Sequence, residues 1–525
     1  MARHLQNIAV VAASTLGSRV LGLFRDVLMM SLLGTSPAAS AFLFAFTVPN
    51  LFRRLLGEGA LTSALVPVFS DILNAEGKQA AFDFSGKVLT RVLISLLWLT
   101  LAGLVIYGLV YGLFVWALGD SLSGNEHRWL LGCIFGALLL PYMVFVCLAA
   151  ALGALLNVLH RFAVHALSSV WLNIAMIGAM LIGGFALKGT SSQVAWWLAG
   201  GVLLGGLAQF VIPMLAMKHE GWHPKWDLTK NDRLTELRQL FLPALAGAAI
   251  MQVNILVSRL FGFGLSDDAL PALYLASRLI ELPLGVFAIA IATVLFPNLS
   301  LHASAGDTER LAHSFSQGLR LIMAITVPAA VGLAVLSGPV LRLLFEWGRF
   351  TASDVSVTQP VLLVFSLAIP FYGASTFITR GYHATKDTRT PVRVAAWSFA
   401  VNLVASIVLI LPLGILGLAL ANMLSAVVQT VLLRLWLRDK PGFSSHERVG
   451  NAITSIGISS VVMALVCWGG KLGVEHFISL GKLGDVVAVL VLVPVGVCVY
   501  FLCLWVTRFD ERSDVVALLT KTFRR

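Results

Sequence analysis

Residues 41 to 61 read AFLFAFTVPNLFRRLLGEGAL, a run apolar enough to enter a bilayer that nevertheless carries Arg53, Arg54 and Glu58. A spanning helix needs roughly 20 mostly apolar residues, and this run lies within a candidate span that starts near residue 38. Pro49, Gly57, Gly59 and Pro67 in the same candidate predict a bent or broken helix. The rest of the chain has the same character. Of its 525 residues, 58% are hydrophobic and 12% are charged, which excludes a soluble globular protein with a charged shell.

The net charge of +11 reflects 37 Lys and Arg against 26 Asp and Glu. A nucleic-acid binder would cluster such an excess on a solvated face, which this chain lacks, so no nucleic-acid partner is expected. Cys133, Cys147, Cys467, Cys498 and Cys503 all fall in apolar runs without CxxC spacing. They read as small hydrophobes, with neither a disulfide framework nor a metal site implied. At the amino terminus Arg19 and Arg25 interrupt the apolar stretch and no small-residue cleavage site closes it, which predicts a retained first helix.

By length and hydropathy the chain divides into about fourteen candidate spans, starting near residues 8, 38, 79, 129, 162, 192, 238, 268, 309, 353, 390, 414, 449 and 483. With the amino terminus in the cytoplasm, twenty-two Lys and Arg fall in inside segments. Only Arg128, Lys188, Arg342, Arg349, Lys471 and Lys482 fall outside. That asymmetry predicts both termini inside.

Sliding the chain against itself by about 230 to 240 residues gives matches in order. Ser18-Arg19-x-x-Gly22 meets Ser258-Arg259-x-x-Gly262, and Pro67 with Ser70 meets Pro297 with Ser300. Phe84-Ser85 meets Phe315-Ser316, Leu113-Phe114-x-Trp116 meets Leu344-Phe345-x-Trp347, and Pro141, Gly153 and Asn173 meet Pro370, Gly381 and Asn402. Six helices per repeat is an even number, so both halves enter the membrane from the same side, the parallel-repeat transporter plan. The expected organisation is an amino-terminal lobe over 1–218, a cytoplasmic amphipathic linker over 219–237, a second lobe over 238–440, and two last helices with a tail over 441–525. The linker, with Trp222 and Trp226 among alternating charges, reads as a helix lying on the membrane surface.

Nine arginines remain inside spans: Arg19, Arg25, Arg53, Arg54, Arg91, Arg259, Arg278, Arg320 and Arg380. Each costs about 2.5 to 3.5 kcal/mol at a helix centre. Arg91, Arg259, Arg320 and Arg380 sit near enough to a predicted end to snorkel. The acids within spans are few, namely Asp26, Glu58 and Glu281, with Asp71 near an end, and Arg278 and Glu281 stand three apart on one helix face. The surplus of guanidinium groups calls for a hydrated cavity, and such a cavity selects phosphate or carboxylate cargo.

GSRVLGLFRD at 17–26, the 41–61 run, ASRLIELPLGVFAIAIATVLFP at 276–297, LFEWGRFT at 344–351 and GYHATKDTRTPV at 381–392 resemble the lipid II flippase family, MurJ or MviN, of the multidrug/oligosaccharidyl-lipid/polysaccharide exporter superfamily. The resemblance implies a non-enzymatic inner-membrane transporter involved in cell-wall synthesis. Two six-helix lobes would surround a cationic cavity, and two further helices would form a groove for a polyprenyl tail. It implies lipid II as cargo, moved from the cytoplasmic to the outer leaflet by alternating access, with the bilayer and the cell-wall synthesis machinery as partners. Carried over by motif, the cargo-binding arginines are Arg19, Arg25, Arg53 and Arg278, while Glu281, Glu58 and Arg54 belong to the cavity and its gating. Two family aspartates are replaced by Ser40 and Ser277, which puts an aspartate-dependent ion step in doubt. No cofactor is implied, and coupling to membrane potential or a cation is left open. Competing readings are a flippase for another polyprenyl-linked oligosaccharide, a drug exporter and a membrane glycosyltransferase. A cationic cavity disfavours the exporter, and Asp267-Asp268 is the only acidic pair in an outer loop to serve the last.

Overall fold

The computed structural model describes residues 2–118, 124–443, 449–477 and 481–511. Among them every regular element is helical. The chain folds as two compact units, Met1–Pro271 with Trp347–Phe350, and Ala272–Glu346 with Thr351–Arg525.

The first unit holds α1 (Ala2–Leu33), α2 (Pro37–Phe52), α3 (Leu61–Ala75), α4 (Lys78–Leu118), α5 (Gly124–Val158), α6 (Phe162–Ala166), α7 (Ser168–Met180), α8 (Ser191–His219) and α9 (Asp232–Leu265). The helices begin where short polar side chains replace the missing intrahelical acceptors. Ser36 accepts from the Ala39 amide with Pro37 at the first helical position, and Thr190 with Gln193 forms a capping box before α8. Between α2 and α3 the 41–61 run turns π-helical over Arg53–Ala60, with Gly59 at φ −119°, ψ −111°. The predicted break is therefore present, and it falls where the arginines are. α9 packs against α2, α3 and this turn. The tongue Trp347–Phe350 also belongs here. Arg349 donates to the Leu32 and Gly189 carbonyls at 2.8 and 2.9 Å and to Ser191 Oγ at 3.1 Å.

The second unit contains most of α10 (Ala269–Pro283), then α11 (Ile289–Ser304), α12 (Thr308–Val335), α13 (Ser337–Phe345), α14 (Ala352–Ala384), α15 (Arg389–Leu413), α16 (Ile415–Arg438), α17 (Val449–Phe477) and α18 (Lys482–Val506). Another π-helical turn, Leu284–Ala288, separates α10 from α11. Its core runs through α12, α14, α16, α17 and α18 around Phe315, Phe377, Tyr382 and Leu504. Two buried tyrosine hydroxyls in this core find backbone acceptors, which water cannot supply in hydrocarbon. Tyr382 donates to the Leu433 carbonyl at 2.9 Å, and Tyr500 to that of Ala324 at 2.7 Å.

Twelve described helical runs are long and apolar enough to cross a membrane. The other two expected spans coincide with α1 and with the helical run Ala269–Ser304. The repeat is visible in the element order. α1, α2, α3, α4, α5, α6 and α8 each start about 230 residues before α9, α10, α11, α12, α14, α15 and α16, and the π-helical turns Arg53–Ala60 and Leu284–Ala288 fall at matching places, whereas a third, Leu181–Ala186, has no counterpart among the described residues. α17 and α18 lie outside the repeat and pack on each other and on α12 and α13.

One local expectation is corrected. The chain from Trp222 to Asn231 is not an amphipathic helix but an extended strap. Gly221 at φ +92° and Pro224 end the preceding helix. Arg91 then takes up strap carbonyls that a helix would have used internally, donating to Leu228 at 2.8 Å, Thr229 at 2.9 Å and Asp227 at 3.3 Å. Trp222 is buried and Trp226 is exposed.

Candidate functional site

Arg25 and Asp26 are adjacent on α1, both buried, and they pair side by side. Arg25 Nε and Nη2 lie 3.0 and 2.6 Å from Asp26 Oδ1. Arg25 Nη1 donates to Asn173 Oδ1 of α7 at 3.0 Å, and Asn173 Nδ2 donates to the Ser18 carbonyl at 3.2 Å. Arg25 is thus held by a carboxylate and an amide rather than offered to solvent in this conformation. Arg19, six residues earlier on the same helix, is exposed. At 1.5 Å per residue it sits near the middle of α1, where an exposed guanidinium needs water and not hydrocarbon.

Arg53 and Arg54 open the π-helical turn and are half-buried. Arg53 Nε donates to Asn50 Oδ1, one turn back, at 3.3 Å. The wider turn displaces side chains from the α-helical face, a frequent arrangement at functional sites. The backbone of Glu58 belongs to the same turn, and its side chain lies outside the described residues. Arg259 of α9 does not reach for the membrane surface. It is half-buried and donates through Nη1 to Thr47 Oγ1 of α2 at 2.8 Å. Ser40, also on α2, is fully buried, and its Oγ has no hydrogen-bond partner among the described residues.

In the second unit Arg278 of α10 pairs with Glu281 at 2.9 Å, donates through Nε to the Tyr274 hydroxyl oxygen at 3.2 Å, and lies over the Tyr274 ring at 5.3 Å. The pair predicted from the three-residue spacing is present, and its side chains stay 35% and 51% exposed. Partial exposure of both charges within the continuous helical run over 269–304, which is long enough to span, marks a hydrated surface. Ser277 beside it donates to the Tyr274 carbonyl at 2.7 Å.

Arg320 departs from the snorkelling expectation. It is buried on α12, bonded to Ser316 Oγ at 2.9 Å and to Glu511 Oε1 at 2.7 Å through Nε and 2.5 Å through Nη2. Glu511 escapes the count of in-span acids because it follows the last span in sequence. Arg380 lies over the Phe296 ring at 5.5 Å. The residues that sequence reasoning passes over are therefore Asn173, Thr47, Tyr274 and Glu511. Asn173 carries a signal as a repeat match, and Tyr274 stands one turn before Arg278. Thr47 and Glu511 acquire their roles through tertiary contact alone.

Two repeated sets of helices with guanidinium groups inside the spans define a multi-pass membrane transporter of the parallel-repeat plan. An inward-facing multidrug resistance MATE family transporter of the MOP superfamily has this fold, with a TM-score of 0.62 over 80% of this chain and 94% of that one at 13% identity. The sequence profile described as Lipid II flippase MurJ matches residues 29–491, and the chain belongs to that family. It is 33% identical over 465 residues to the probable lipid II flippase MurJ of Haemophilus influenzae, covering 86% of this chain and 90% of that protein. To the protein of the same description from Vibrio cholerae it is 35% identical over 437 residues, 82% of each chain. A solved structure described as lipid II flippase MurJ in an inward closed conformation superposes with a TM-score of 0.77 at 24% identity, covering 94% of this chain and 98% of that one.

Proposed function

We propose that this chain moves lipid II, the polyprenyl-pyrophosphate-linked peptidoglycan precursor, from the cytoplasmic to the outer leaflet of the bacterial inner membrane. It does so as a transporter and not as an enzyme, with both termini in the cytoplasm. The observation that carries this reading is the exposure of Arg19 and Glu281 and the partial exposure of Arg278 within helical runs of spanning length in a chain of this family. Charges there would cost several kcal/mol each against lipid, so within each unit the surface around them is taken to be hydrated and open to an anion. A pyrophosphate accepts two parallel hydrogen bonds from each guanidinium. Arg53 at the π-helical turn adds a second guanidinium to the first unit. Arg25, fixed by Asp26 and Asn173, becomes a cargo ligand only if alternating access releases it.

Ser40 and Ser277 leave two family aspartate positions without charge, so coupling in this chain does not run through carboxylates there. Native mass spectrometry of the purified protein with lipid II and with other polyprenyl lipids tests the cargo. Complementation of a flippase-depleted bacterium by Arg19→Ala, Arg53→Ala and Arg278→Ala tests the residues. The expected result is preferential lipid II retention and loss of growth at normal expression. Survival with all three variants removes these arginines from the mechanism.

A further inference from the structure

At the turn end of the α17–α18 hairpin, where α13 packs against α18, the second unit has a partly open cavity of about 330 Å³. Pockets of this size hold small ligands and not merely single waters. The cavity lies at the ends of two membrane helices, hence at headgroup depth. Its rim carries Arg342, Lys471 and Lys482 against Glu346, Glu475 and Asp485, a formal balance of zero. Beneath the rim Pro339, Val474 and Ala488 supply an apolar lining, backed by Leu336 and Leu492 of the adjacent core.

Some of these charges are already committed. Arg342 grips Asp485 through Nε at 2.8 Å and Nη2 at 2.7 Å, so this pair forms a wall. Lys482 Nζ donates to the Glu346 carbonyl. Lys471 and Glu475 differ. They stand one turn apart on α17 at 3.9 Å, too far for a hydrogen bond, and Arg342 Nη2 is also 3.9 Å from Glu475. An ammonium and a carboxylate with hydrogen-bonding capacity to spare therefore share one polar mouth over an apolar floor.

We propose that this cavity binds the headgroup of a zwitterionic phospholipid bearing a primary amine. Lys471 meets the phosphate, Glu475 accepts from the ammonium, and the acyl chains leave along the exposed apolar face of α18, which includes Leu483 and Leu490. An anionic headgroup such as phosphatidylglycerol would satisfy Lys471 and could offer hydroxyl donors, but it brings net negative charge beside Glu475 and Glu346 with no cation to offset it. A quaternary amine would supply charge but no N–H donor to the carboxylate. The proposal is independent of the cargo, since it needs only that the hairpin lie in a bilayer.

The test is native mass spectrometry of the detergent-purified full chain titrated with phosphatidylethanolamine, phosphatidylcholine or phosphatidylglycerol of matched acyl chains. The wild type is expected to retain phosphatidylethanolamine at about fivefold lower concentration than either other lipid, roughly 1 kcal/mol of preference. Water-soluble glycerophosphoethanolamine should compete and inorganic phosphate should not, which separates a lipid headgroup from a free-phosphate site. In Lys471→Gln/Glu475→Gln the preference should vanish while the oligomer mass and thermal midpoint stay unchanged. Equal or better retention of phosphatidylglycerol by the wild type overturns the proposal, as does a preference that survives in the double variant. Should the double variant fail to fold, the wild-type comparison of primary with quaternary amine still decides.

Discussion

The arginines show how differently one residue type can be accommodated within a single membrane chain. Arg278 keeps its neighbour Glu281 and stays exposed, whereas Arg320 is buried against a carboxylate some 190 residues away in sequence. Breaking a buried pair from one side leaves a desolvated charge and costs about 3 to 5 kcal/mol, whereas replacing both partners with apolar groups of similar volume is close to neutral. Glu511→Gln is therefore expected to lower the thermal midpoint markedly, and Arg320→Met/Glu511→Leu much less. A double variant as unstable as the single one would mean that the contact of α12 with the segment after α18 depends on something other than this pair. Sequence alone separates Arg278 from Arg320 only in part. The spacing of Arg278 and Glu281 is local and legible, but the Glu511 contact exists only once α12 and α18 have packed.

At the scale of helices, hydropathy and the repeat make the spans readable, including the break in the 41–61 run, because bilayer thickness imposes length and composition on every crossing. Which faces meet is set by finer sterics. Gly201 and Gly205, four apart on α8, face α7. A Cβ at Gly201 would stand 2.7 Å from Ala179 Cβ and 2.9 Å from the Ala175 carbonyl oxygen, and one at Gly205 would stand 3.0 Å from Leu172 Cα. This is small-residue packing that lets two backbones approach closely. Gly200 has nothing within 4 Å. Gly201→Val should force α7 and α8 apart at a cost of about 1 to 3 kcal/mol, and Gly200→Ala should be neutral or slightly stabilising through helix propensity. Thermal unfolding of the two variants in detergent compares them, and equal shifts would remove close packing as the reason for Gly201. The strap from Trp222 to Asn231 is not readable in this way. Its alternating charges fit a surface helix, and the hydrogen bonds that Arg91 and Thr90 make to its backbone, present only once the chain has folded, hold the non-helical form.

Over the whole molecule a net charge of +11 is tolerated partly because acids at the helix ends are engaged by the basic residues around them. Glu220 at the end of α8 lies below the usual carboxylate range because it accepts hydrogen bonds from Lys78 at 3.0 Å and Arg161 at 2.7 Å. Burial acts to raise the Asp387 carboxyl, but hydrogen bonds from Lys440 and Thr390 outweigh it and hold the group far below its ordinary value. A depressed folded pKa stabilises the fold fully above the unfolded value, about 4.3 for Glu and 3.9 for Asp, and this contribution is lost as pH falls through the folded value. Stability should therefore be flat with respect to these two groups from pH 8 to about pH 5 and decline below about pH 4.3. Protonation of the remaining carboxylates deepens that decline by raising the net positive charge. Glu220→Gln/Asp387→Asn should start from a lower thermal midpoint at pH 7 and lose less on acidification, so that the gap from wild type narrows in acid. A gap that stays constant from pH 7 to pH 3 would show that these carboxylates act through shape alone, and the acid sensitivity of the fold would then have to come from repulsion among its excess cations, which added salt relieves.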